Sequence, residues 1–397
     1  MPGQAHHHIV IVGGGNAGIS VAAQLSKVLK HPKIAIIEPS RKHYYQPLWT
    51  LVGAGVFPKE VTEKNEASFI PKGATWIEDA VTEFHPDDNT VLTSDGKTVG
   101  YDFLVVAPGI QIDWDKIGGL KGNIGRHGIC SNYAYEYVDK TWEYIKDFKG
   151  GNAIFNFPNT PIKCAGAPQK IMYLADDYFR KLGVRNRSNV IYASAGKAIF
   201  GVKKYATSLN QVVARKGIET RYQHNLIEIR AEAKEAIFER LDTGDKVVLP
   251  FEMIHVTPPM SAPDFVKQSP LADAAGWVDV DKYTLQHTRY PNIFGLGDAS
   301  SLPTSRTGAA IRKEAPVLVK NLIAAMRGNP LTARYDGYAA CPIVTGYGRL
   351  ILAEFDYDGN PKESFPFDQS KERYSMYLLK AYGLPAMYWH GILKGRM

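Results

Sequence analysis

The chain of 397 residues is long enough for two to three domains built around a large buried core. Its net charge of +7 at pH 7 favours anionic partners such as a small anion or an anionic lipid surface, and without long Lys/Arg runs we expect no nucleic acid. Three cysteines, Cys130, Cys164 and Cys341, exclude a disulfide-stapled secreted fold. No apolar stretch reaches about 18 residues, so no transmembrane helix is expected.

The first predicted elements form a β–α–β unit that begins with a short apolar, β-branched strand. In chain order they are strand 8–12, helix 19–29, strand 34–38, strands within 76–93, strand 99–107 and helix 135–148. His6, His7 and His8 precede the first strand. We interpret them as a terminal polar tract, and we predict no metal site.

A second α/β unit follows, and the chain then returns to the first. Its predicted elements are strand 152–157, helix 169–182, strand 189–193, helix 206–216, strand 219–224, an antiparallel meander at 227–252, a strand that begins at 293 and ends in a Gly-Asp loop at 297–298, and helix 308–326. The predicted fold class is α/β, with two Rossmann-like dinucleotide-fold domains and a C-terminal membrane-interface region. The predicted boundaries are 1–110 with 290–330, then 111–289, then 331–397.

A glycine motif, Gly13-x-Gly15-x-x-Gly18, lies between the first strand and the first helix. The first glycine permits the tight turn, the second lets the backbone approach a diphosphate, and the third lets helix and strand pack closely. Glu38 ends the second strand and is placed to accept hydrogen bonds from ribose hydroxyls. A glycine-rich turn without a ligand is the alternative. The candidate residues are Gly13, Gly15, Asn16, Ala17, Gly18 and Glu38.

Two distal stretches distinguish FAD from NAD at this site. Residues 104–109 and the pair Gly297-Asp298 resemble the recurring motifs of FAD-binding, disulfide-reductase-like folds. The alternative role of Asp298, compatible with the first, is to cap the following helix. The cofactor predicted is FAD, and the further residues assigned to it are Gln46, Val81, Ala107, Gly109, Asp298, Arg306 and Thr307.

The second α/β unit lacks a glycine fingerprint of its own. Where a phosphate-binding loop is expected, the sequence has Pro158, Pro161 and Cys164. Proline has no backbone N–H and a fixed φ, so it makes a poor phosphate cradle. We therefore predict that the nicotinamide site is lost.

Four long stretches carry a closer resemblance, which extends over nearly the whole chain. They are FPNTPIKCAGAPQK at 157–170, AIFGVKKY at 198–205, CPIVTGY at 341–347 and PFDQSKER at 366–373. The chain resembles the sulfide:quinone oxidoreductases, in the branch that includes the mitochondrial enzymes and their bacterial relatives. The resemblance implies that hydrogen sulfide is oxidised to sulfane sulfur and that the electrons pass through FAD to a membrane quinone.

The resemblance also implies that Cys164 and Cys341, 177 residues apart, meet beside the flavin and form a disulfide that HS⁻ attacks. Cys341 then becomes the thiolate facing the flavin, and Cys164 holds the sulfane sulfur until a small-molecule acceptor removes it. Lys170 carries positive charge that lowers a thiol pKa. The alternative is a pair of buried, inert cysteines.

Cys130 departs from the mitochondrial-type pattern, and three roles stay open for it. Its surroundings, Ile129-Cys130-Ser131, resemble the position of a flavin-proximal cysteine in other bacterial branches. It is therefore a candidate flavin-linking or auxiliary sulfur-carrying residue. The alternative is a small buried side chain.

The last residues, 374–396, are apolar, aromatic and basic, and they contain no acid. Aromatic and basic side chains of this kind suit a bilayer interface, and Pro385 is expected to break the segment into two pieces that lie on the membrane. We expect a peripheral protein of a bacterial plasma membrane, or of the mitochondrial inner membrane in a eukaryote. The alternative is packing on the protein's own core or, in a homo-oligomer, on a second copy.

Three other functions compete with this interpretation. A type-2 NADH:quinone oxidoreductase requires the second glycine loop. A flavoprotein sulfide dehydrogenase with a cytochrome c partner does not require a membrane-binding tail. A redox-sensing flavoprotein without turnover does not require a reactive cysteine pair.

Overall fold

The computed structural model describes residues 5–397. The first third of the chain alternates short strands and helices. These elements are β1 (Ala5–Val12), α1 (Asn16–Val28), β2 (Ile34–Ile37), β3 (Lys42–Tyr44), α2 (Trp49–Val52), β4 (Glu63–Asn65), β5 (Thr75–Ile77), β6 (Val81–His85), β7 (Thr90–Thr93), β8 (Thr98–Val106) and β9 (Gln111–Ile112).

The middle of the chain forms the second α/β unit and the meander. Its elements are β10 (Ile129–Cys130), α3 (Val138–Lys146), β11 (Gly151–Phe157), α4 (Ala167–Lys181), β12 (Ser188–Ser194), α5 (Lys203–Lys216), β13 (Glu219–Tyr222), β14 (His224–Arg230), β15 (Glu235–Arg240), β16 (Lys246–Pro250), β17 (Met253–His255) and β18 (Met260–Ser261).

The remaining part returns to the first sheet and ends in a hairpin and short helices. Its elements are α6 (Asp264–Lys267), β19 (Ile293–Gly295), α7 (Gly308–Met326), β20 (Ala339–Gly346), β21 (Arg349–Phe355), α8 (Tyr374–Leu378) and α9 (Leu384–His390). Among residues 5–397, no helix is both long enough and apolar enough to cross a membrane.

The first sheet has the strand order β5-β2-β1-β8-β7-β6, and β19 pairs with β8. Strand β1 runs parallel to both of its neighbours, β2 and β8. Ile9, Val10 and Ile11 are completely buried there, because a parallel strand covered on both faces needs an unbroken apolar run rather than alternation. The carboxyl ends of β1, β8 and β19 therefore lie at one edge of this sheet.

The second sheet has the strand order β10-β17-β11-β12-β13, and every pairing in it is parallel. The predicted meander is confirmed as β14, β15 and β16, which pair antiparallel. The predicted strand 219–224 ends earlier, at Tyr222, and His224 begins β14. Both sheets send their carboxyl ends toward the same cavity, which is where open α/β sheets bind ligands.

The C-terminal segment differs from its prediction at Pro385. The expected break is wrong, because a π-helical turn at Leu379–Gly383 joins α8 to α9 and the backbone of Leu384 keeps a helical φ of −65°. Pro385 stands in the first turn of α9, where its missing N–H and fixed φ are tolerated. The segment is therefore one continuous helical stretch, Tyr374–His390, and a further turn at Ile392–Lys394 follows it.

Candidate active site

One cavity of about 640 Å³ connects the amino end of α1, the loop before α4 and the C-terminal helices. Its volume is typical of a small-molecule or cofactor site. The predicted site residues that line it are Gly15, Asn16, Ala17, Glu38, Gln46, Ala107, Gly109, Cys164, Lys170, Asp298, Arg306 and Thr307. The predicted residues that do not line it are Gly13, Gly18, Val81, Cys130 and Cys341.

In the glycine motif, Gly13 and Gly18 allow close packing of the backbone, and Gly15 leaves open space through which a ligand can approach. A Cβ on Gly13, whose φ is +101°, would lie 2.3 Å from the Ala107 carbonyl oxygen, and one on Gly18 would lie 1.8 Å from the Gly13 oxygen. A Cβ on Gly15 would meet nothing within 4 Å. Gly15 caps α1, and, having no side chain, it leaves the first N–H groups of that helix without a hydrogen bond from the cap residue. This open, electropositive end suits a diphosphate.

Glu38 closes the wall beside the glycine turn. Its Oε2 accepts the Gly14 N–H at 2.8 Å, and its Oε1 accepts the Ser40 N–H at 2.7 Å. Burial raises the pKa of this carboxyl, although the two backbone donors oppose the shift. Each oxygen keeps a second lone pair, so the carboxylate can also accept ribose hydroxyls. The residues at this end fit the dinucleotide half of a flavin cofactor.

Asp298 follows β19 in a short 3₁₀ turn and faces the same cavity. Burial raises the pKa of its carboxyl. The Arg306 Nε donates to the Asp298 carbonyl at 2.8 Å. Thr307 caps α7 by accepting the Ala310 N–H at 3.1 Å, so the helix-cap alternative for Asp298 is wrong.

Cys164 lines this cavity, and Cys341 meets it from behind the lining residues. Cys341 lies on β20 and Cys164 lies in the loop between β11 and α4, and their Sγ atoms are 3.6 Å apart. The Cys164 backbone adopts a left-handed φ of +57°, and its N–H donates to the Arg306 carbonyl at 2.8 Å. A Cβ on Gly166 would lie 2.3 Å from the Cys341 Sγ, so glycine at 166 is needed for the approach.

Lys170 supplies the positive charge beside this pair. Its Nζ donates to the Cys164 Sγ at 3.1 Å, and only 3% of the residue is exposed. A hydrogen bond from Cys341 and the charge of Lys170 lower the pKa of Cys164 well below its usual value. The pKa of Cys341 is raised because it shares that hydrogen bond and is buried. In the dithiol form the negative charge therefore resides on Cys164.

Lys380 is a buried cation that the sequence interpretation missed. It lies in the π-helical turn, is 2% exposed, and its Nζ donates to the Pro47 carbonyl at 2.6 Å. Burial and the charge of Lys170 lower its pKa to about 7. A lysine within an apolar, acid-free segment is the signal that would have pointed to it.

The surroundings of Cys130 and Val81 differ from those of the other candidates. Cys130 is completely buried, its Sγ lies 3.5 Å from the Ile254 carbonyl, and burial raises its pKa to about 12. This environment favours the interpretation as a small buried side chain. Val81 is buried on β6. A role for either residue at the flavin stays a prediction.

Comparison with known proteins assigns the family. The family described as pyridine nucleotide-disulphide oxidoreductase matches residues 7–140. Mitochondrial sulfide:quinone oxidoreductases of Mus musculus and Dictyostelium discoideum are 51% and 54% identical over 98% of this chain, covering 87% and 86% of their own lengths. The chain belongs to the sulfide:quinone oxidoreductase family.

The fold agrees with this family assignment. The sulfide:quinone oxidoreductase structure from Aquifex aeolicus superposes with a TM-score of 0.84 at 21% identity, covering 99% of this chain and 92% of that one. The predicted resemblance and the two-dinucleotide-fold class are therefore confirmed, and the protein is a flavin-type oxidoreductase. These matches do not favour the type-2 NADH:quinone alternative.

Proposed function

We propose that this protein oxidises hydrogen sulfide to sulfane sulfur at the Cys164–Cys341 pair and passes the electrons through FAD to a membrane quinone. One observation carries the proposal. The Cys164 and Cys341 Sγ atoms are 3.6 Å apart, the Lys170 ammonium is 3.1 Å from the Cys164 Sγ, and Cys164 lines a cavity that fits a flavin dinucleotide. Buried, inert cysteines do not require a buried cation at hydrogen-bond distance.

The reaction uses both sulfurs in turn. Hydrosulfide attacks the Cys164 sulfur of the disulfide, the S–S bond breaks, and Cys341 leaves as a thiolate with the bonding electron pair. An acceptor anion removes the outer sulfur from Cys164, and the disulfide forms again as two electrons leave the pair. The balance is HS⁻ plus acceptor, giving the sulfurated acceptor, one proton and two electrons.

The chain's own residues hold the charges of this cycle. Lys170 stabilises the thiolate on Cys164 once the outer sulfur has gone, and it stabilises the anionic attack before that. FAD, when bound, accepts the electron pair and passes it to the quinone. Gly15, Glu38 and Asp298 are proposed to hold the dinucleotide, and Lys380 borders the same cavity from the C-terminal segment.

Quinones are insoluble in water, so we propose that the C-terminal segment rests on the membrane that supplies them. The relatives named above are mitochondrial enzymes, which supports the inner mitochondrial membrane over a bacterial plasma membrane. Association with the surface of a membrane agrees with the lack of a spanning helix among residues 5–397.

Anaerobic titration of the purified yellow protein tests the proposal. One equivalent of sulfide should bleach the flavin absorbance within the mixing time, whereas NADH should leave it unchanged because Pro158 and Pro161 replace a nucleotide loop. Cys164→Ser and Cys341→Ser should each abolish the bleaching by sulfide and keep the flavin bound. Because both act as one unit, the double variant should be hardly worse than either single one. Stoichiometric bleaching by NADH, or an active Cys164→Ser variant, would overturn the proposal.

A further inference from the structure

Three polar side chains that share the cavity of Cys164 have hydrogen-bonding groups without a partner, and one of them, Tyr133, lies close to both cysteines. Asn132, Tyr133 and His255 line the same cavity as Cys164, and each is more than nine-tenths buried. Among residues 5–397, both carboxamide atoms of Asn132 lack a hydrogen-bond partner, as does the Tyr133 hydroxyl, beside which the buried Thr257 hydroxyl is likewise unpaired. The His255 Nδ1 meets only the backbone of its own residue. A buried donor without a partner costs about 1–3 kcal/mol, so a group of them at one wall points to a ligand.

The fold brings these residues to the loop that carries Cys164. Asn132 and Tyr133 follow the carboxyl end of β10, and His255 ends β17, which runs parallel to β10. Tyr133 packs with Ile162 and Ala167, which flank Cys164 in the chain. The three side chains thus stand at the carboxyl edge of the second sheet, where a parallel sheet presents its ligand site.

The hydrogen bonds define which groups are donors. The Asn132 backbone N–H donates to the His255 Nε2 at 3.0 Å, so this nitrogen carries no proton. Burial lowers the pKa of His255 to about 3, so the ring is neutral and its proton is on Nδ1. Burial, and then the charge of Cys164, raise the pKa of Tyr133, so its hydroxyl stays protonated.

The wall therefore offers an imidazole N–H, a phenol O–H and an amide NH₂, all neutral. Lys163 and Lys170 border the same cavity; Lys163 faces the Asp298 carboxyl, whereas Lys170 places its positive charge beside Cys164. Such a wall favours a small anion. Each neutral donor can hydrogen-bond to the anion, and no further charged side chain has to be desolvated to hold it.

We infer that Asn132, Tyr133 and His255 form a binding subsite for the small sulfur anion that reacts at Cys164. Two anions share this chemistry, hydrosulfide on its way in and an oxyanion such as sulfite that takes the sulfane sulfur away. The inference rests on the proposed function and names the residues that receive its anionic reactant.

Tyr133→Phe and Asn132→Leu test the subsite, because each keeps the shape of the side chain and removes its polar atoms. Tyr101→Phe is the matched control, since the Tyr101 hydroxyl is also buried and without a partner but lies on β8, away from the site. Removing a donor that has no partner in the protein should leave the melting temperature of each variant equal or higher. Loss of a hydroxyl that stabilises the fold would instead lower the melting temperature.

Steady-state kinetics of the FAD-loaded protein, at a saturating level of a water-soluble quinone, separates the two anions. Tyr133→Phe should raise KM at least about tenfold, for sulfide if the site receives hydrosulfide or for sulfite if it receives the acceptor. The KM for quinone should not change. If neither anion's KM changes, or if the variants lose flavin or shift its spectrum instead, the donors serve the flavin or the core and the inference fails.

A second measurement needs no turnover and therefore separates this inference from the proposed function. In the reduced protein, iodoacetate, an anion, and iodoacetamide, its neutral counterpart, are compared as alkylating reagents of Cys164 by mass spectrometry. Tyr133→Phe should lower the ratio of the iodoacetate rate to the iodoacetamide rate at least about threefold, and Tyr101→Phe should leave this ratio unchanged. An unchanged ratio would overturn the subsite, whereas failure of sulfide to reduce the flavin would overturn only the proposed reaction.

Discussion

Cys164 combines an uncommon backbone conformation with an uncommon charge. Only a few per cent of non-glycine residues have a positive φ such as the +57° of Cys164. The surrounding structure has to hold such a backbone conformation, and it often occurs at functional sites. The hydrogen bond from its N–H to Arg306 and the two prolines of the preceding loop fix this conformation. The conformation turns the thiol toward Cys341 and Lys170 together.

Replacing Lys170 by Gln should raise the pKa of Cys164. The lysine charge contributes to the depressed pKa, so without it the thiolate forms only at higher pH. The rate of alkylation of Cys164 by iodoacetamide in the reduced protein should therefore fall at least about fivefold at pH 6 and change little at pH 9. Lys203→Gln, at an exposed position on α5, is the control. A Lys170→Gln profile that overlays the wild type would contradict this assignment of the charge.

The sequence predicted that Cys164, Cys341 and Lys170 belong to one site, and the structure brings them together, but it did not predict their neighbours. The two cysteines were assigned by resemblance, because they stand in long distinctive stretches of sequence, and Lys170 was assigned by its charge. Lys380 was missed because the basic, acid-free pattern around it was assigned to a membrane surface, whereas its partner, the Pro47 carbonyl, is 333 residues away in the chain. The donors of the proposed subsite were missed because tyrosine, asparagine and histidine are common residues. Only the folded structure shows that these three are buried with polar atoms that lack a hydrogen-bond partner.

Among the elements, α7 carries a carboxyl that responds to pH near neutrality. Glu314 is buried and accepts the Gly297 N–H at 2.8 Å. Burial raises its pKa to about 7 from an ordinary value of 4.5. A carboxyl with a raised pKa in the folded state stabilises the protein fully below pH 4.5, and that stability is lost as pH rises toward 7.

Replacing Glu314 by Gln should therefore stabilise the protein mostly at high pH. The amide still accepts the Gly297 N–H but cannot ionise, so its advantage over the wild type should grow by about 2 kcal/mol between pH 5 and pH 8. Melting temperatures of the flavin-loaded proteins at the two pH values measure this. Glu232→Gln, at an exposed position, should show no such growth. An equal advantage at both pH values would mean that Glu314 does not ionise in this range.

The elements were predicted well where one periodicity ran unbroken. Helix 308–326 was predicted with both ends correct as Gly308–Met326, and β1, β2, β8, β11 and β12 were predicted to within a few residues. The short strands β10 and β17 of the second sheet were not predicted. The prediction failed where tertiary packing overrides a local rule. Proline usually ends a helix, but Pro385 follows a π-helical turn and stands in the first turn of α9, where its missing N–H and fixed φ are tolerated.

At the scale of the whole molecule, the C-terminal segment has two faces. One face is buried against the first domain, through side chains such as Tyr388, Trp389 and Leu393. The Lys27 Nζ anchors the end by donating to the Gly395 carbonyl at 2.9 Å. Packing on the protein's own core, the alternative left open by the sequence, thus accounts for this face. The other face exposes an aromatic and apolar patch, Tyr374, Leu378 and Tyr382, and membrane contact is proposed for it.

Replacing this patch by serine should detach the protein from membranes without impairing the chemistry. Tyr374 and Tyr382 are 64% and 60% exposed and Leu378 is 38% exposed, so the changes remove little packing inside the fold. Aromatic side chains at the bilayer interface and the positive net charge together favour an anionic surface. Co-sedimentation of the triple variant with vesicles that contain an anionic phospholipid should fall at least about tenfold.

The matched control is Tyr283→Ser, because Tyr283 is 42% exposed and lies outside the segment. With a short-chain, water-soluble quinone, kcat/KM of the triple variant should equal that of the wild type, since the cysteine pair and the cavity are untouched. With a long-chain quinone embedded in vesicles, kcat/KM should fall in parallel with binding. Equal vesicle binding by the triple variant and Tyr283→Ser would assign the exposed face to another partner, because a lipid surface is recognised through the side chains that enter it.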